Sequence, residues 1–329
     1  MYTLGIETSC DETSCAILRQ YRVLSNVTIS SLREHKKYGG VVPEIATRAH
    51  VSNIDTVVRN AVEKSGVRLD EIGLVAVTAR PGLIGALVIG LQFAKGLALA
   101  LSKPLVALNH LHAHLFAPFL NSQSKIPFPF LGVVVSGGHT ELYYVEDFDR
   151  LRLVGKTRDD ACGEVYDKVA KAYNLGYPGG PVIDRMFDER RKNDVAFKCG
   201  VSGLDVSFSG IKTALIYKKK ESIERGEFNH RAKVSYVSSF QESIVRTLTG
   251  VIYDAARRYK LTRIVCGGGV MANRYLRARL QAARLPGMKL FITPLEYAGD
   301  NAAIVAGLGF YLYNKKGIRS RLDTEAEAN

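Results

Sequence analysis

The stretch Leu4-Gly-Ile-Glu-Thr-Ser-Cys-Asp-Glu-Thr-Ser-Cys-Ala-Ile-Leu18 places two apolar runs around a short polar turn. This pattern predicts a β-hairpin. Its predicted turn carries four polar side chains, Ser9, Asp11, Glu12 and Thr13. The pattern returns at Leu131-Gly-Val-Val-Val-Ser-Gly-Gly-His-Thr-Glu-Leu-Tyr-Tyr-Val145, with Leu, Gly, Ser and Thr at the same offsets. The repeat favours a duplicated domain, and a chance match of two amphipathic hairpins is the alternative.

Strands and helices alternate after the first hairpin. A third strand at residues 21–30 precedes a helix from Pro43 to Ser65, where apolar residues recur at helical spacing. A strand at Leu74–Thr78 and an apolar helix at Ala86–Leu101 follow. This alternation predicts a largely parallel sheet covered on both faces. Because Gln92 and Lys95 interrupt the apolar run, we expect a packed helix and no membrane span.

Composition limits the class of protein. The chain has 329 residues, of which 47% are hydrophobic and 23% are charged. These values are typical of a soluble globular protein, and the length suits two domains. The N-terminal stretch does not resemble a signal peptide, so we expect a cytoplasmic location. Five cysteines form no Cys-x-x-Cys pair, which argues against a zinc knuckle and a disulfide framework.

The charge balance is strongly basic. The 45 Lys and Arg residues exceed the 32 Asp and Glu residues, which gives a formal net charge of +13. Such a field favours polyanionic partners such as nucleic acid. Residues 185–233 are rich in Lys and Arg and include Lys218-Lys-Lys220. This basic run predicts either a nucleic-acid groove or an ordinary solvated face.

Three histidines lie in the stretch Ala107-Leu-Asn-His-Leu-His-Ala-His-Leu115. Asn109 is a favoured N-cap, so a helix should begin at the first histidine. His110 and His114 then share one helix face and could chelate a divalent metal with a third ligand. Asp300, at the start of the last predicted helix, is the candidate third ligand, whereas His112 should point away. The alternative is a pair of half-buried histidines that cap a helix.

The second half offers candidate nucleotide contacts. The stretch Asn121–Pro129 has linker composition. The turn Ser136-Gly-Gly-His139 could let backbone N–H groups approach an anion, or it could be a plain tight turn. A glycine-rich loop should contain Gly179 and Gly180 and place Asp184 at the start of the next helix. Asp184 could there accept hydrogen bonds from ribose hydroxyls, or it could be an ordinary solvated acid. Gly267-Gly-Gly269 follows a buried strand and should open a helix, which is a nucleotide-binding arrangement.

Together these motifs resemble the bacterial tRNA N6-threonylcarbamoyladenosine transferase family. The resemblance is carried by several segments in one order up to about residue 310: Gly5-Ile-Glu-Thr-Ser-Cys-Asp-Glu-Thr13, His110-x-x-x-His114, Ser136-Gly-Gly-His-Thr140, Gly267-Gly-Gly269, Ala272-Asn-Arg274 and Asp300-Asn301. One departure is Met271, which stands where a serine is frequent. The resemblance implies the α/β actin, Hsp70 and sugar-kinase fold with two βββαβαβα cores. It places one domain at residues 1–125, with a C-terminal helix at 300–329 packed back on it, and the other at 126–299.

The resemblance also implies roles for individual residues. His110, His114 and Asp300 would bind one divalent metal ion, either iron (Fe2+) or zinc (Zn2+). The nucleotide-linked substrate would be held by a second set: Val134, Val135, Ser136, Gly137, Gly138, Asp167, Gly180, Asp184 and Asn273. Asp11 and Glu12 are candidates for removing a proton from the attacking amine, or they serve ordinary turn chemistry.

The implied reaction transfers a threonylcarbamoyl group from threonylcarbamoyl-AMP to N6 of adenosine 37, in tRNAs that read codons beginning with A, and releases AMP. The implied partners besides tRNA are an actin-like paralogue subunit, a P-loop ATPase subunit and threonylcarbamoyl-AMP synthase. Two other functions stay open. One is an actin-like ATPase or scaffold, because fold does not settle activity. The other is a metallopeptidase, which the lack of an acid between His110 and His114 disfavours.

Overall fold

The computed structural model describes residues 1–121 and 126–328, and the chain divides into two compact units. Unit 1 comprises Met1–Pro127, Asp147–Arg150 and Thr293–Asn329. Unit 2 comprises Phe128–Glu146 and Leu151–Ile292. The chain passes from unit 1 to unit 2 after Pro127. Residues 122–125 of the predicted linker lie outside the described residues.

Unit 1 is built on a five-stranded sheet with the order β3-β2-β1-β4-β5. β1 pairs antiparallel with β2 and parallel with β4. The elements, in chain order, are β1 (Tyr2–Glu7), β2 (Glu12–Arg19), β3 (Arg22–Ser30), α1 (Leu32–His35), α2 (Pro43–Ser65), β4 (Ile72–Arg80), α3 (Ile84–Leu101), β5 (Leu105–Asn109) and α4 (His110–Phe116).

Unit 2 repeats this arrangement. Its five-stranded sheet has the order β8-β7-β6-β11-β12, and β6 pairs antiparallel with β7 and parallel with β11. The elements are β6 (Phe130–Val135), β7 (Thr140–Asp147), β8 (Arg150–Lys156), α5 (Cys162–Ala172), α6 (Gly179–Met186), β9 (Gly200–Ser202), β10 (Asp205–Ser207), α7 (Ser209–Glu224), α8 (His230–Arg258), β11 (Arg263–Gly267), α9 (Arg274–Ala282) and β12 (Lys289–Ile292). The matching strand orders confirm the predicted duplication.

The last helix, α10 (Ala302–Lys316), belongs to unit 1 and packs on β1, β2 and β4. Close packing depends on Gly5, because a Cβ there would lie 2.5 Å from the carbonyl oxygen of Ala302. On the other side of the sheet, Ile6 and Val77 belong to an apolar cluster that includes residues of α2 and α3. The central strands are therefore buried on both faces, as parallel strands require.

Local sequence signals explain where α2 begins and ends. Pro43 occupies the first helical turn, where its missing N–H is not needed. Gly66 ends the helix in a left-handed conformation with φ of +67°. The helix has the predicted bounds, Pro43–Ser65.

The helix α3 is long and apolar enough to cross a membrane by length and composition alone. Two observations argue for the predicted packed helix. Its Leu87, Leu91 and Ala94 are buried in unit 1. Gly90 lies against the side chain of Thr8, whose hydroxyl donates to the carbonyl oxygen of Ala86 at 2.9 Å.

Four predicted features differ in detail. Glu12 and Thr13 lie in β2 and not in the hairpin turn, because β2 pairs with β3 from Glu12 onward. The helix predicted at 300–329 spans only Ala302–Lys316, since Gly317 takes a left-handed conformation and ends it. Asp184 lies in the second half of α6, because that helix begins at Gly179. The glycine loop after β11 leads into a 3-10 turn at Gly269–Ala272, so α9 begins only at Arg274.

Candidate functional site

The helix α4 begins at His110 as predicted. The side chain of Asn109 accepts hydrogen bonds from the backbone N–H groups of Leu111 and His112 at 2.8 and 3.2 Å. This cap satisfies two of the amide groups that every helix N-terminus leaves unpaired. It also fixes the helix start, so His110 and His114 lie one turn apart on the same buried face.

His110, His114 and Asp300 form a compact cluster in unit 1. The Nε2 atoms of His110 and His114 lie 3.1 Å apart. Asp300 Oδ1 lies 3.5 Å from Nε2 of His110 and 3.2 Å from Nε2 of His114. These three ligand atoms all lie within 4.8 Å of one another. Two imidazole nitrogens and one carboxylate oxygen are a donor set that suits zinc or iron(II). The residues therefore fit a divalent metal ion.

Asp300 reaches the cluster because of the way α10 begins. Asn301 is the N-cap, and its side-chain oxygen accepts from the backbone N–H of Ile304 at 3.3 Å. Its amide nitrogen donates to the carbonyl oxygen of Gly299 at 2.8 Å. The cap thus fixes the backbone on both sides of Asp300, and α10 is held on the sheet by close packing at Gly5.

Charges within the cluster determine its protonation without metal. Burial disfavours a charge on His110, but Glu7 and Asp300 raise its pKa well above the usual value. Burial and the neighbouring charge of His110 lower the pKa of His114. Burial alone would raise the pKa of Asp300, but the two histidines bring it below its usual range. His110 therefore tends to hold a proton that it would give up as a metal ligand, so metal binding would release a proton.

Glu7 is a further carboxylate at this cluster that the sequence analysis did not identify. It is the last residue of β1 and is completely buried. Its Oε2 lies 3.1 Å from Nδ1 of His110, and its Oε1 accepts from the backbone N–H of Ser9 at 2.6 Å. Burial alone would raise the pKa of Glu7, but His110 lowers it, so the carboxylate stays ionised.

Asp11 is the last residue of the turn between β1 and β2, and Glu12 is the first residue of β2. Asp11 is buried, and its Oδ2 has no hydrogen-bond partner within residues 1–121 and 126–328. Burial and the charges of Asp300 and Asp11 raise the pKa of Glu12 well above its usual value. The two carboxyl groups therefore differ, because Glu12 tends to hold a proton while Asp11 has an acceptor oxygen to spare.

Two buried histidines hold this turn, and sequence reasoning missed both. His50 Nε2 is 2.9 Å from the carbonyl oxygen of Cys10. The carbonyl oxygen of Asp11 accepts from both the backbone N–H and the hydroxyl of Ser31, each at 3.0 Å. His35 in turn contacts the hydroxyl of Ser31 at 3.0 Å. Their sequence signal is weak, because a single histidine in a helix is usually only a packed side chain.

In unit 2, the turn between β6 and β7 is anchored through its carbonyl groups. The backbone N–H of Gly163 donates to the carbonyl oxygen of Ser136, and that of Glu164 donates to Gly137. The hydroxyl of Thr140 accepts from the backbone N–H of Cys162 at 2.9 Å. The start of α5 thus holds the turn, while Gly137 and Gly138 are exposed. Val134 and Val135 are buried at the end of β6.

The remaining predicted substrate residues of unit 2 lie around α6 and α9. Asp167 accepts from the backbone N–H of Gly179 at 2.6 Å, and Gly180 lies in the first turn of α6. Asn273 caps α9 through a bond of 2.8 Å from the N–H of Leu276 and donates to Gln241 at 3.1 Å. The side-chain nitrogen of Gln241 lies 3.4 Å from Asp184. The buried Gln241 thus connects two predicted site residues, and no sequence motif marks it.

The lysine run at 218–220 is not a free cationic face. Lys218 pairs with Glu221 at 3.0 Å, and Lys220 lies 3.9 Å from Glu224. Lys219 donates to the carbonyl oxygen of Ala172 and sits over the rings of Tyr173 and Phe228. Each lysine of the run therefore has a contact within the chain, and the pair of Lys220 with Glu224 is largely exposed to solvent.

The two repeated cores define the class of protein, an α/β protein with the actin-like and sugar-kinase-like fold. Solved structures support this class. Component A of the (R)-2-hydroxyglutaryl-CoA dehydratase of Acidaminococcus fermentans aligns with a TM-score of 0.55 at 15% identity, over 97% of this chain and 100% of that one. T. kodakarensis HypF aligns with a TM-score of 0.61 at 14% identity, over 95% of this chain and 48% of that one. At these identities the likeness shows the fold alone.

The chain belongs to the TsaD family, tRNA N6-adenosine threonylcarbamoyltransferase, whose family model matches residues 22–307. The protein of that name from Thermosipho africanus is 45% identical over 100% of this chain and 99% of its own. The protein of that name from Anaeromyxobacter dehalogenans is 47% identical over 98% of this chain and 97% of its own. The predicted fold and activity are thus confirmed: the chain is a transferase that forms the threonylcarbamoyl modification of adenosine 37 in tRNA. The scaffold alternative is not favoured.

Proposed function

We propose that the chain uses threonylcarbamoyl-AMP as donor and a metal ion held by His110, His114 and Asp300. The observation that carries this proposal is the cluster of two buried imidazoles and one partly buried carboxylate in unit 1. Either Fe2+ or Zn2+ suits this donor set. When bound, the ion would supply Lewis-acid polarisation of the donor's carbonyl group.

Asp11 would accept the proton of the attacking amine. The exocyclic amine of adenosine forms a bond to the carbamoyl carbon, the bond from that carbon to the phosphate oxygen breaks, and AMP leaves. The amine proton moves to Asp11, whose Oδ2 is buried and has no partner in the described part of the chain. Glu12, whose pKa is raised, would stay protonated and serve as a hydrogen-bond donor.

Unit 2 would hold the adenylate part of the donor. The exposed Gly137 and Gly138 leave their backbone accessible to a phosphate. Val134, Val135 and Ser136 form the strand end and turn that present them. The other contacts would come from four residues: Asp167, Gly180, Asp184 and Asn273. Asp184 is suited to a ribose hydroxyl, because its Oδ1 contacts only Gln241, at 3.4 Å, among the described residues.

One assay tests the reaction. The purified chain is incubated with threonylcarbamoyl-AMP and an unmodified tRNA that reads codons beginning with A, and the tRNA nucleosides are then analysed. We expect the modified adenosine to appear together with AMP release that depends on tRNA. Release of AMP without tRNA, or release of phosphate from ATP instead, would contradict the proposed donor chemistry.

The assembly is also proposed from the resemblance. We expect an actin-like paralogue subunit and a P-loop ATPase subunit to associate with this chain, and threonylcarbamoyl-AMP synthase to supply the donor in the cytoplasm. Adding each protein back singly to the assay separates helpers that change turnover from those that only supply substrate. A chain that turns over repeatedly with donor and tRNA alone would not need the two subunits for catalysis.

A further inference from the structure

We propose that Glu7 is a positioning residue that orients His110 as a metal ligand and sets the metal affinity of the cluster. Nothing in the motifs of the family resemblance gives Glu7 this role. The inference rests on the proposed metal site, and its test therefore needs a readout of metal binding that does not depend on transferase activity.

The two oxygens of the Glu7 carboxylate have different partners. Oε2 accepts a hydrogen bond from the hydroxyl of Thr78 at 2.5 Å and lies 3.1 Å from His110 Nδ1. Oε1 accepts from the backbone N–H of Ser9 at 2.6 Å. The carboxylate is completely buried, so these contacts replace the solvation that it loses. Each oxygen is therefore fixed before any ligand arrives.

The contact to Nδ1 determines which nitrogen of His110 faces the cluster. Both oxygens of Glu7 already accept hydrogen bonds, Oε1 from the N–H of Ser9 and Oε2 from Thr78, so a proton on Nδ1 satisfies the 3.1 Å contact to Oε2. Nε2 is then left for the ion, and it is the atom that lies 3.1 Å from His114 Nε2. A carboxylate bound to the far nitrogen also raises the basicity of a ligating imidazole. Glu7 thus fixes both the tautomer and the ring orientation.

The two histidines are not supported equally. Nδ1 of His114 is buried and has no hydrogen-bond partner in the described part of the chain. His110 contacts Glu7 and also lies 3.3 Å from the hydroxyl of Ser9 through the same nitrogen. The carboxylate support is therefore specific to His110. Replacing Glu7 should weaken one metal bond of the three, not remove the site.

The test compares Glu7→Gln with a matched control, Glu242→Gln. Glu242 is also a buried glutamate, but it lies in unit 2 and contacts Tyr275. Zinc affinity of the metal-free full chain is measured by competition with a chromogenic chelator. We expect Glu7→Gln to weaken zinc binding by about 10- to 100-fold and Glu242→Gln to leave it unchanged. Equal affinity of wild type and Glu7→Gln would overturn the inference.

The same experiment separates this inference from the proposed metal site. A wild-type chain that binds neither zinc nor iron(II) would reject the site itself. If Glu7→Gln does not fold, the zinc-loaded wild type decides instead, through the histidine nitrogen resonances in NMR. A proton on Nδ1 and metal on Nε2 of His110 supports the role of Glu7, and the opposite assignment contradicts it.

Discussion

His50 and Thr13 are joined by a hydrogen bond of 2.8 Å between Nδ1 and the hydroxyl oxygen. His50 Nε2 lies 2.9 Å from the carbonyl oxygen of Cys10, which only accepts, so Nε2 carries the proton and Nδ1 accepts from Thr13. A neutral, fully buried imidazole thus connects α2 to the strand and turn that carry Asp11.

This arrangement predicts a loss of stability in acid. Burial lowers the pKa of His50 below the ordinary histidine value of about 6.5. The contribution of neutral His50 is therefore complete above pH 6.5 and is lost as the pH falls through the lowered pKa, because protonation then favours the unfolded chain. His50→Gln can keep both hydrogen bonds without titrating. The free energy of unfolding is measured in denaturant at pH 7.5 and at pH 5. It should fall less between these pH values for His50→Gln than for the wild type, and equal falls would contradict the prediction.

Metal binding should depend on the paired histidines. The double change His110→Ala/His114→Ala removes two of three ligands, so bound metal should fall to background while circular dichroism shows a folded chain. His112→Ala is the control, because His112 lies outside the ligand cluster. If metal analysis finds unchanged stoichiometry in the folded double variant, the histidines only serve to pack and cap α4.

Asp11 and Glu12 should respond differently to amide substitution. Asp11→Asn removes the proposed proton acceptor and should lower kcat by about 10²- to 10⁴-fold. Glu12→Gln resembles the protonated acid that its raised pKa favours, so a loss below about 10-fold is expected. Rapid-quench assays with saturating donor and tRNA measure both values. Equal losses, or loss of metal from Asp11→Asn, would reject this division of roles.

Sequence reasoning succeeded where the determinants are local. The bounds of α2 follow from Pro43, from Gly66 and from apolar spacing, all within one helix. The start of α4 follows from Asn109 for the same reason. The predicted hairpin turn extends too far along the chain, because pairing with β3 makes Glu12 part of β2. Such pairing is a tertiary effect that a single strand does not reveal.

The supporting residues of the site could not be predicted, because their partners are distant in sequence. Glu7 lies in a buried strand, 103 positions from His110. Gln241 lies in the middle of α8, 32 positions from Asn273. Glu7 lies within the Gly5–Thr13 motif, but nothing in that motif indicates its contact with His110, and no motif includes Gln241. The sequence predicted the candidate ligands, but only the three-dimensional structure reveals what orients them.

Lysines 218–220 should contribute to stability more than to tRNA binding. Lys219 is bonded to Ala172 and packed on two rings, so Lys219→Ala should lower the free energy of unfolding by about 1–2 kcal/mol. The double change Lys218→Ala/Lys220→Ala removes exposed lysine–glutamate ion pairs, so it should change the free energy of unfolding by less than about 1 kcal/mol. The salt dependence of tRNA binding should be nearly unchanged in that double variant. A clearly flatter dependence would show that these lysines contact phosphates after all.

Asp184 is held by Arg274 in a geometry that only a guanidinium supplies. Nε of Arg274 lies 3.0 Å from Asp184 Oδ2, and a terminal nitrogen donates to the backbone carbonyl oxygen of Asp184 at 3.1 Å. If Asp184 binds a ribose hydroxyl, Asp184→Ala should raise KM for threonylcarbamoyl-AMP by about 10-fold, with little change in kcat, because such binding is equal in the ground and transition states. Arg274→Lys should raise KM by a smaller factor, because an ammonium group cannot make both bonds at once. Steady-state assays over a range of donor concentrations give both kcat and KM. The Arg274→Lys variant also shows whether a positive charge alone is enough to hold Asp184 in place. A fall in kcat with unchanged KM would instead assign Asp184 to the chemical step.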